Sequence, residues 1–276
     1  MSTSRKVAVV TGSNKGIGLA IVKSLLEKFD GDVFLTARNS AKGKTAVEKL
    51  KALGFKPQFH QLDVVDQNSV DTFRDYIKHT YGGLDILVNN AGVYADKSLP
   101  LGDQAEQNVG VNYFGTLKVS EALLPLLRAN ARVVNLSSSA GRLKRIPSTD
   151  LQAEFKDPNL TIEKLNNMMK QYIKAAKENN HMAEGWGDNA YVVSKVGLSA
   201  LTLIQQRLFD RESPKRNISA NFVHPGAVIT DMNQNGVLQV DDGAKSALFA
   251  VFQPNLKGKY VWYDCRIIDW DGPLPQ

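Results

Sequence analysis

Short apolar runs alternate with longer segments of helical period through most of this chain, and that alternation restricts the fold more than any other feature. The runs at 6–11, 32–37, 57–63, 84–90, 131–137, 218–225 and 259–263 read as strands. Amphipathic stretches at 16–29, 69–82 and 106–130 lie between them. Buried strands joined by helices of this length make βαβ units and a parallel sheet covered on both faces. Right-handed crossovers then lead to an α/β doubly wound parallel sheet of Rossmann type. No repeat and no Pro/Gly/Ser-rich linker divides the 276 residues, so the expectation is a single domain over 1–276.

One polar stretch, about 142–188, breaks the rhythm and reads as an insertion before the next core helix. Within it the sequence predicts a helix from Thr161 to about Lys177, started by Thr161 with Glu163 in the first turn.

Composition excludes several classes. No apolar run approaches the roughly 18 residues that span a bilayer. The N-terminal apolar stretch, at most Val7 to Thr11, is too short for a signal-peptide core. The single cysteine, Cys265, rules out an internal disulfide and a cysteine-based zinc site. His60, His79, His181 and His224 lack metal-ligand spacing, so no metal is expected. A cytoplasmic protein without membrane attachment follows. The net charge of +6 invites a nucleic-acid reading, but the basic residues are dispersed among acids, as in 41–54, without a basic tail or RNA-binding motif. No nucleic-acid partner is expected, and the basic excess suits a ligand carrying several phosphates.

Directly after the first strand comes Thr11-Gly12-Ser13-Asn14-Lys15-Gly16-Ile17-Gly18, opening a helix. Glycines there let the backbone turn tightly and approach a pyrophosphate at the positive helix end. An NAD site usually has an acid after the second strand, whereas this chain has Arg38, with Lys15 in the glycine turn. Both cations suit a 2′-phosphate, so NADPH/NADP is the expected cofactor. Further along, Tyr191 and Lys195 are spaced to share one helix face. A close ammonium, aided by the cofactor's charge, is expected to move the phenol pKa down from about 10 towards working pH.

The glycine turn, Asn89-Asn90-Ala91-Gly92, Asn112, the Ser137-Ser138 pair, Tyr191/Lys195 and Pro225-Gly226 before Val228 and Thr230 stand in an order that resembles the short-chain dehydrogenase/reductase family over nearly the whole chain. The resemblance implies roles. Tyr191 would be the general acid in reduction and Ser138 would hydrogen-bond the carbonyl oxygen, with Ser137 and Ser139 as competitors for that place. Lys195 would bind the nicotinamide ribose, and Asn112 would hold a water leading to solvent. Gly12, Asn14, Lys15, Gly16, Ile17, Gly18, Arg38, Asp63, Asn90, Pro225, Gly226, Val228 and Thr230 would meet the cofactor together with Tyr191 and Lys195. The long stretch between Ser138 and Tyr191 resembles the monomeric cytosolic carbonyl reductases of that family, in which the inserted helix covers the oligomerisation surface. A monomer acting on small carbonyl compounds (aldehydes, ketones, quinones) is the implied function.

Several points stay open on the sequence. Trp186 suits the wall of a substrate cleft and a pin for the insertion equally well. His224 is assigned no catalytic role. Leu123, Leu124, Leu126 and Leu127 read as helix core. Ala227 stands where the resembling reductases often carry tryptophan, so their substrates do not transfer. Oxidation of a hydroxysteroid or other secondary alcohol is the alternative within enzymes, disfavoured by the absent acid. A non-catalytic NADPH sensor is the alternative outside them, disfavoured by the complete set Asn112, Ser138, Tyr191 and Lys195.

Overall fold

A computed structural model describes residues 5–273, in which the seven apolar runs become β1 (Val7–Val10), β2 (Asp32–Ala37), β3 (Gln58–Gln61), β4 (Leu84–Asn89), β5 (Leu127–Leu136), β6 (Ser219–Val223) and β7 (Tyr260–Val261). An eighth strand, β8 (Ile267–Ile268), was not anticipated. The sheet order is β3-β2-β1-β4-β5-β6-β7-β8, parallel throughout except for the antiparallel β7–β8 pair. β1, β2, β5 and β6 are buried along most of their length, which explains why they read as continuous apolar runs rather than alternating ones.

Helices cover both faces: α1 (Gly16–Lys28), α2 (Ser40–Ala52) and α9 (Val240–Phe252) on one side, α3 (Gln67–Tyr81) and α5 (Thr116–Leu123) on the other. The second face is completed by α4 (Leu101–Val109), α6 (Thr149–Lys156), α7 (Ile162–Lys177) and α8 (Ala190–Asp210). Leu165, Met169 and Tyr172 of α7 are fully buried in the same cluster as Val109 of α4 and Val193 and Val196 of α8. Each such side chain removed from water contributes about 1.5–3 kcal/mol, which fixes the insertion to the domain body.

The stretch expected to be one helix at 106–130 is broken three ways. A π-helical segment at Gly110–Gly115 separates α4 from α5, and a 3-10 turn at Leu124–Leu126 follows. Pro125 cannot continue the helix, so Leu127 opens β5 instead of closing a helix, and Leu124 and Leu126 are only half-buried. Within the polar insertion Thr161 does cap α7, its side chain accepting from the Lys164 N–H, while α6 was not anticipated.

Candidate active site

The residues singled out for the cofactor mostly follow the C-terminal ends of the strands, where open α/β sheets bind ligands, and Lys195 reaches the end of β5 from α8. β1 and β4 are neighbours, and the chain leaves them on diverging paths. The glycine turn therefore faces Asn90, which follows β4. The Asn90 carboxamide donates to the carbonyls of Thr11 (2.9 Å) and Gly12 (3.0 Å), and the Thr11 hydroxyl accepts from the backbone N–H groups of Asn90 and Ala91 (3.0 Å each). Asn90 thus laces the turn together from behind.

The residues present fit a dinucleotide. The N-terminus of α1 has no side-chain cap and no acid in its first turn, leaving its positive end to an anion. Gly12 and Gly16 hold left-handed φ values of 59° and 57°, and a Cβ on Gly12 would lie 2.9 Å from Ala91 Cα. Arg38 is exposed just past β2. Asp63 follows β3 and its carboxylate accepts from the Val65 N–H at 3.2 Å. Asn14 and Ile17 lie half-buried on the same turn, and Pro225, Gly226, Val228 and Thr230 form the loop after β6. That loop reaches the glycine turn: a Cβ on Gly16 would touch the Thr230 methyl at 3.5 Å, and Lys15 Nζ pairs with Asp231 at 2.5 Å. Lys15, expected to reach a 2′-phosphate, is engaged here by a carboxylate one residue beyond Thr230.

The catalytic candidates converge from three elements. Asn189 caps α8 by accepting from the Val192 N–H, which starts the helix so that Tyr191 lies in its first turn and Lys195 one turn deeper. Lys195 is buried and donates to the Leu136 carbonyl at 2.8 Å, its Nζ 5.6 Å from the Tyr191 ring centre. Asn112 sits in the π-helical segment, a distortion frequent at functional sites. Its carboxamide accepts from the Val93 N–H (2.8 Å) and donates to the Val93 carbonyl (3.0 Å) and the Ser194 hydroxyl (3.0 Å).

Of the three serines after β5, Ser137 turns inward: its hydroxyl is buried against Ser199 Oγ at 2.8 Å. Ser138 lies near enough to Tyr191 to act on its phenol, and its Oγ accepts from the Ala140 N–H at 3.2 Å.

The expected lowering of the Tyr191 pKa counted the cofactor's charge together with the ammonium; the surrounding side chains by themselves act in the other direction. Burial pushes the phenol up to about 12, opposed by the Ser138 hydrogen bond and reinforced by Tyr94. Burial likewise pushes Lys195 down to about 8. Desolvation outweighs the ammonium because Lys195 is directed at the Leu136 carbonyl and both groups are taken from water. The phenol is accordingly protonated at neutral pH, the form a proton donor needs.

Beside Tyr191 opens a cleft of about 270 Å³ lined by Tyr94, Lys97, Gln104, Asn108, Asp188 and Tyr191. The Tyr94 ring packs on Tyr191 at 4.7 Å between centroids, and Lys97 Nζ lies 5.5 Å from the Tyr94 ring centre. Tyr94 was missed in the sequence, since no spacing relates it to Tyr191. Trp186 is not a wall of this cleft: it is buried against Tyr172 (5.5 Å) and Phe155 (6.3 Å), pinning the insertion to the core. Ala227 is exposed, with its carbonyl accepting from the Val237 and Leu238 N–H groups.

Comparison with known proteins follows the same lines. A family model described as short chain dehydrogenase matches residues 6–149. Carbonyl reductase 3 (NADPH) of Mus musculus is 43% identical over 259 residues, covering 92% of this chain and 93% of its own. Carbonyl reductase 1 (NADPH) of Bos taurus is 40% identical over 280 residues, covering 98% and 100%. Among solved structures, salutaridine reductase from Papaver somniferum superposes with a TM-score of 0.84 at 34% identity, covering 95% of this chain and all of that one.

Proposed function

The chain belongs to the short chain dehydrogenase family, and from that premise we propose that it is a carbonyl reductase in which Tyr191, Ser138, Lys195 and Asn112 serve the reduction of aldehydes, ketones or quinones by NADPH. When bound, the cofactor supplies the hydride. The chain's own groups align the carbonyl and deliver the proton. Tyr191 Oη gives its proton to the carbonyl oxygen, and Ser138 Oγ donates to the same oxygen while accepting from Ala140. Lys195 holds the nicotinamide ribose, and Asn112 shapes the backbone at Val93 beside it. The observation that carries this reading is the buried Lys195, bonded to the Leu136 carbonyl at the end of β5 with its Nζ 5.6 Å from the Tyr191 ring centre, one helical turn from the proposed acid. NADPH consumption across a panel of aldehydes, ketones and quinones tests it; faster oxidation of secondary alcohols with NAD than any carbonyl reduction would replace it with the dehydrogenase reading.

Arg38 is the 2′-phosphate ligand in this reading. Arg38→Ala should weaken NADPH binding about tenfold to hundredfold, the worth of one charge-assisted hydrogen bond, and leave NADH within about twofold. Equal weakening of both cofactors in fluorescence titrations would remove Arg38 from that role.

A monomeric state goes with the burial of α7 against α4 and α8. Sedimentation equilibrium at micromolar concentration should return one chain of 30.4 kDa, and a dimer would refute it. Reduction with NADPH also fits a cytoplasmic location, which subcellular fractionation checks. Among the described residues no helix is long and apolar enough to cross a membrane.

A further inference from the structure

His224 and Tyr260 meet the catalytic loop at one place. The Tyr260 hydroxyl donates to the Ser138 carbonyl at 2.6 Å, and the Ser139 N–H donates to His224 Nδ1 at 3.1 Å. The Ser138 carbonyl and the Ser139 N–H belong to one planar peptide group. That plane is therefore gripped on both edges by side chains from β7 and from the residue after β6.

We propose that His224 and Tyr260 are positioning residues that set the orientation of the Ser138–Ser139 peptide, and thereby aim Ser138 Oγ at the reacting oxygen. The inference rests on the assignment of Ser138 made above.

Five observations support it. Ser138 Oγ accepts from Ala140 in the same turn, so rotation of the 138–139 peptide carries the hydroxyl with it. Both grips come from rigid parts of the molecule: Tyr260 is buried, stacks on Phe222 at 4.6 Å and pairs with β6 through the sheet. His224 is buried against Trp262 at 4.3 Å, and its backbone is fixed by the Val261 carbonyl at 2.9 Å and the Ser246 hydroxyl at 3.2 Å. Finally, the grip requires an imidazole that accepts at Nδ1, which leaves the proton on Nε2. Burial supplies that form by pushing the pKa down to about 4, well below neutrality. Nδ1 also faces the Gly226 N–H at 3.4 Å, so the same atom ties the serine turn to the Pro225-Gly226 loop.

The test uses the full chain with an aldehyde and with a reactive quinone. His224→Leu removes the acceptor and Tyr260→Phe removes only a hydroxyl; each should lower kcat for the aldehyde by roughly tenfold to hundredfold, as small misplacements of catalytic groups do, with the KM for NADPH within about threefold. His224→Asn, whose Oδ1 can take the place of Nδ1, should recover most of the loss, whereas His224→Gln should not. In a Ser138→Ala background, assayed with the quinone, neither substitution should cost more than about a further twofold, because their effect passes through that serine. Parent-like rates in both His224→Leu and Tyr260→Phe would overturn the proposal, and so would an undiminished loss in the Ser138→Ala background or failure of Asn to do better than Leu. If His224→Leu does not fold, Tyr260→Phe carries the same comparison. Parent-like aldehyde reduction by Ser138→Ala itself would instead remove the serine assignment, and the grip's catalytic meaning with it.

Discussion

Replacing Tyr191 by phenylalanine is expected to lower kcat for NADPH-driven aldehyde reduction by about 10²- to 10⁴-fold, the range that a positioned general acid supplies. The substitution deletes one oxygen and keeps the ring, so packing against Tyr94 at 4.7 Å and the start of α8 at Asn189 persist. The loss is therefore one of proton delivery rather than of fold. With the phenol held up at about 12, the donor is protonated across the neutral range, and substrate binding need not wait for its ionisation. The loss should fall on kcat more than on NADPH affinity, because the glycine cradle, Arg38 and Lys195 stay in place and only one of the implied cofactor contacts is deleted. A quinone accepts hydride with less help from an acid, so its reduction should fall less than that of the aldehyde. Aldehyde reduction by the variant at the parent rate would end the assignment of Tyr191 as the acid.

Gly18→Ala should damage both stability and cofactor binding, although alanine normally favours a helix by about 1 kcal/mol over glycine. The added Cβ would lie 2.4 Å from Asn90 Nδ2 and 2.8 Å from Ser13 Cα. Ser13 Cα is backbone and cannot rotate aside. Asn90 is held by its two bonds to the Thr11 and Gly12 carbonyls, so it can retreat only by releasing the turn. Overpacking of this kind costs about 1–3 kcal/mol, which exceeds the helical gain. A fall in Tm of about 2–8 °C follows for a domain of this size, and the disturbed cradle should weaken NADPH about tenfold or more. Gly110→Ala is the control: its Cβ would meet nothing within 4 Å, and the variant should melt at or slightly above the parent. Thermal melts that ranked the two variants the other way would show that Asn90 and Ser13 yield more easily than these distances allow.

Part of the site was legible in the chain because its geometry is local. The glycine turn follows a strand directly and precedes a helix, so its residues are neighbours in sequence and in space alike. The pair Tyr191 and Lys195 is set by helical spacing alone, and Thr161 marked the start of α7 by its side chain. Where local signals competed, the reading slipped: an amphipathic pattern continued past Pro125, yet the proline ended the helix and gave Leu127 to β5. The break at Gly110–Gly115 was not legible in the apolar pattern, because its buried residues Asn112 and Gly115 carry no apolar side chain.

The sequence by itself determined the alternation of buried strands and helices, the turn that approaches a dinucleotide, and the helix that brings a phenol and an amine to one face. Each of these depends on residues a few positions apart, whose geometry the backbone dictates. Only the tertiary structure decided that Ser137 turns to Ser199 while Ser138 turns to Tyr191, that Trp186 pins the insertion, and that Lys15 meets Asp231. It also decided how strongly the phenol is desolvated, because that depends on everything packed around Tyr191. The grip of His224 and Tyr260 on the serine peptide belongs to the same group: it exists because β5, β6 and β7 lie side by side, an order fixed by the packing of the whole sheet and carried by no local stretch of chain.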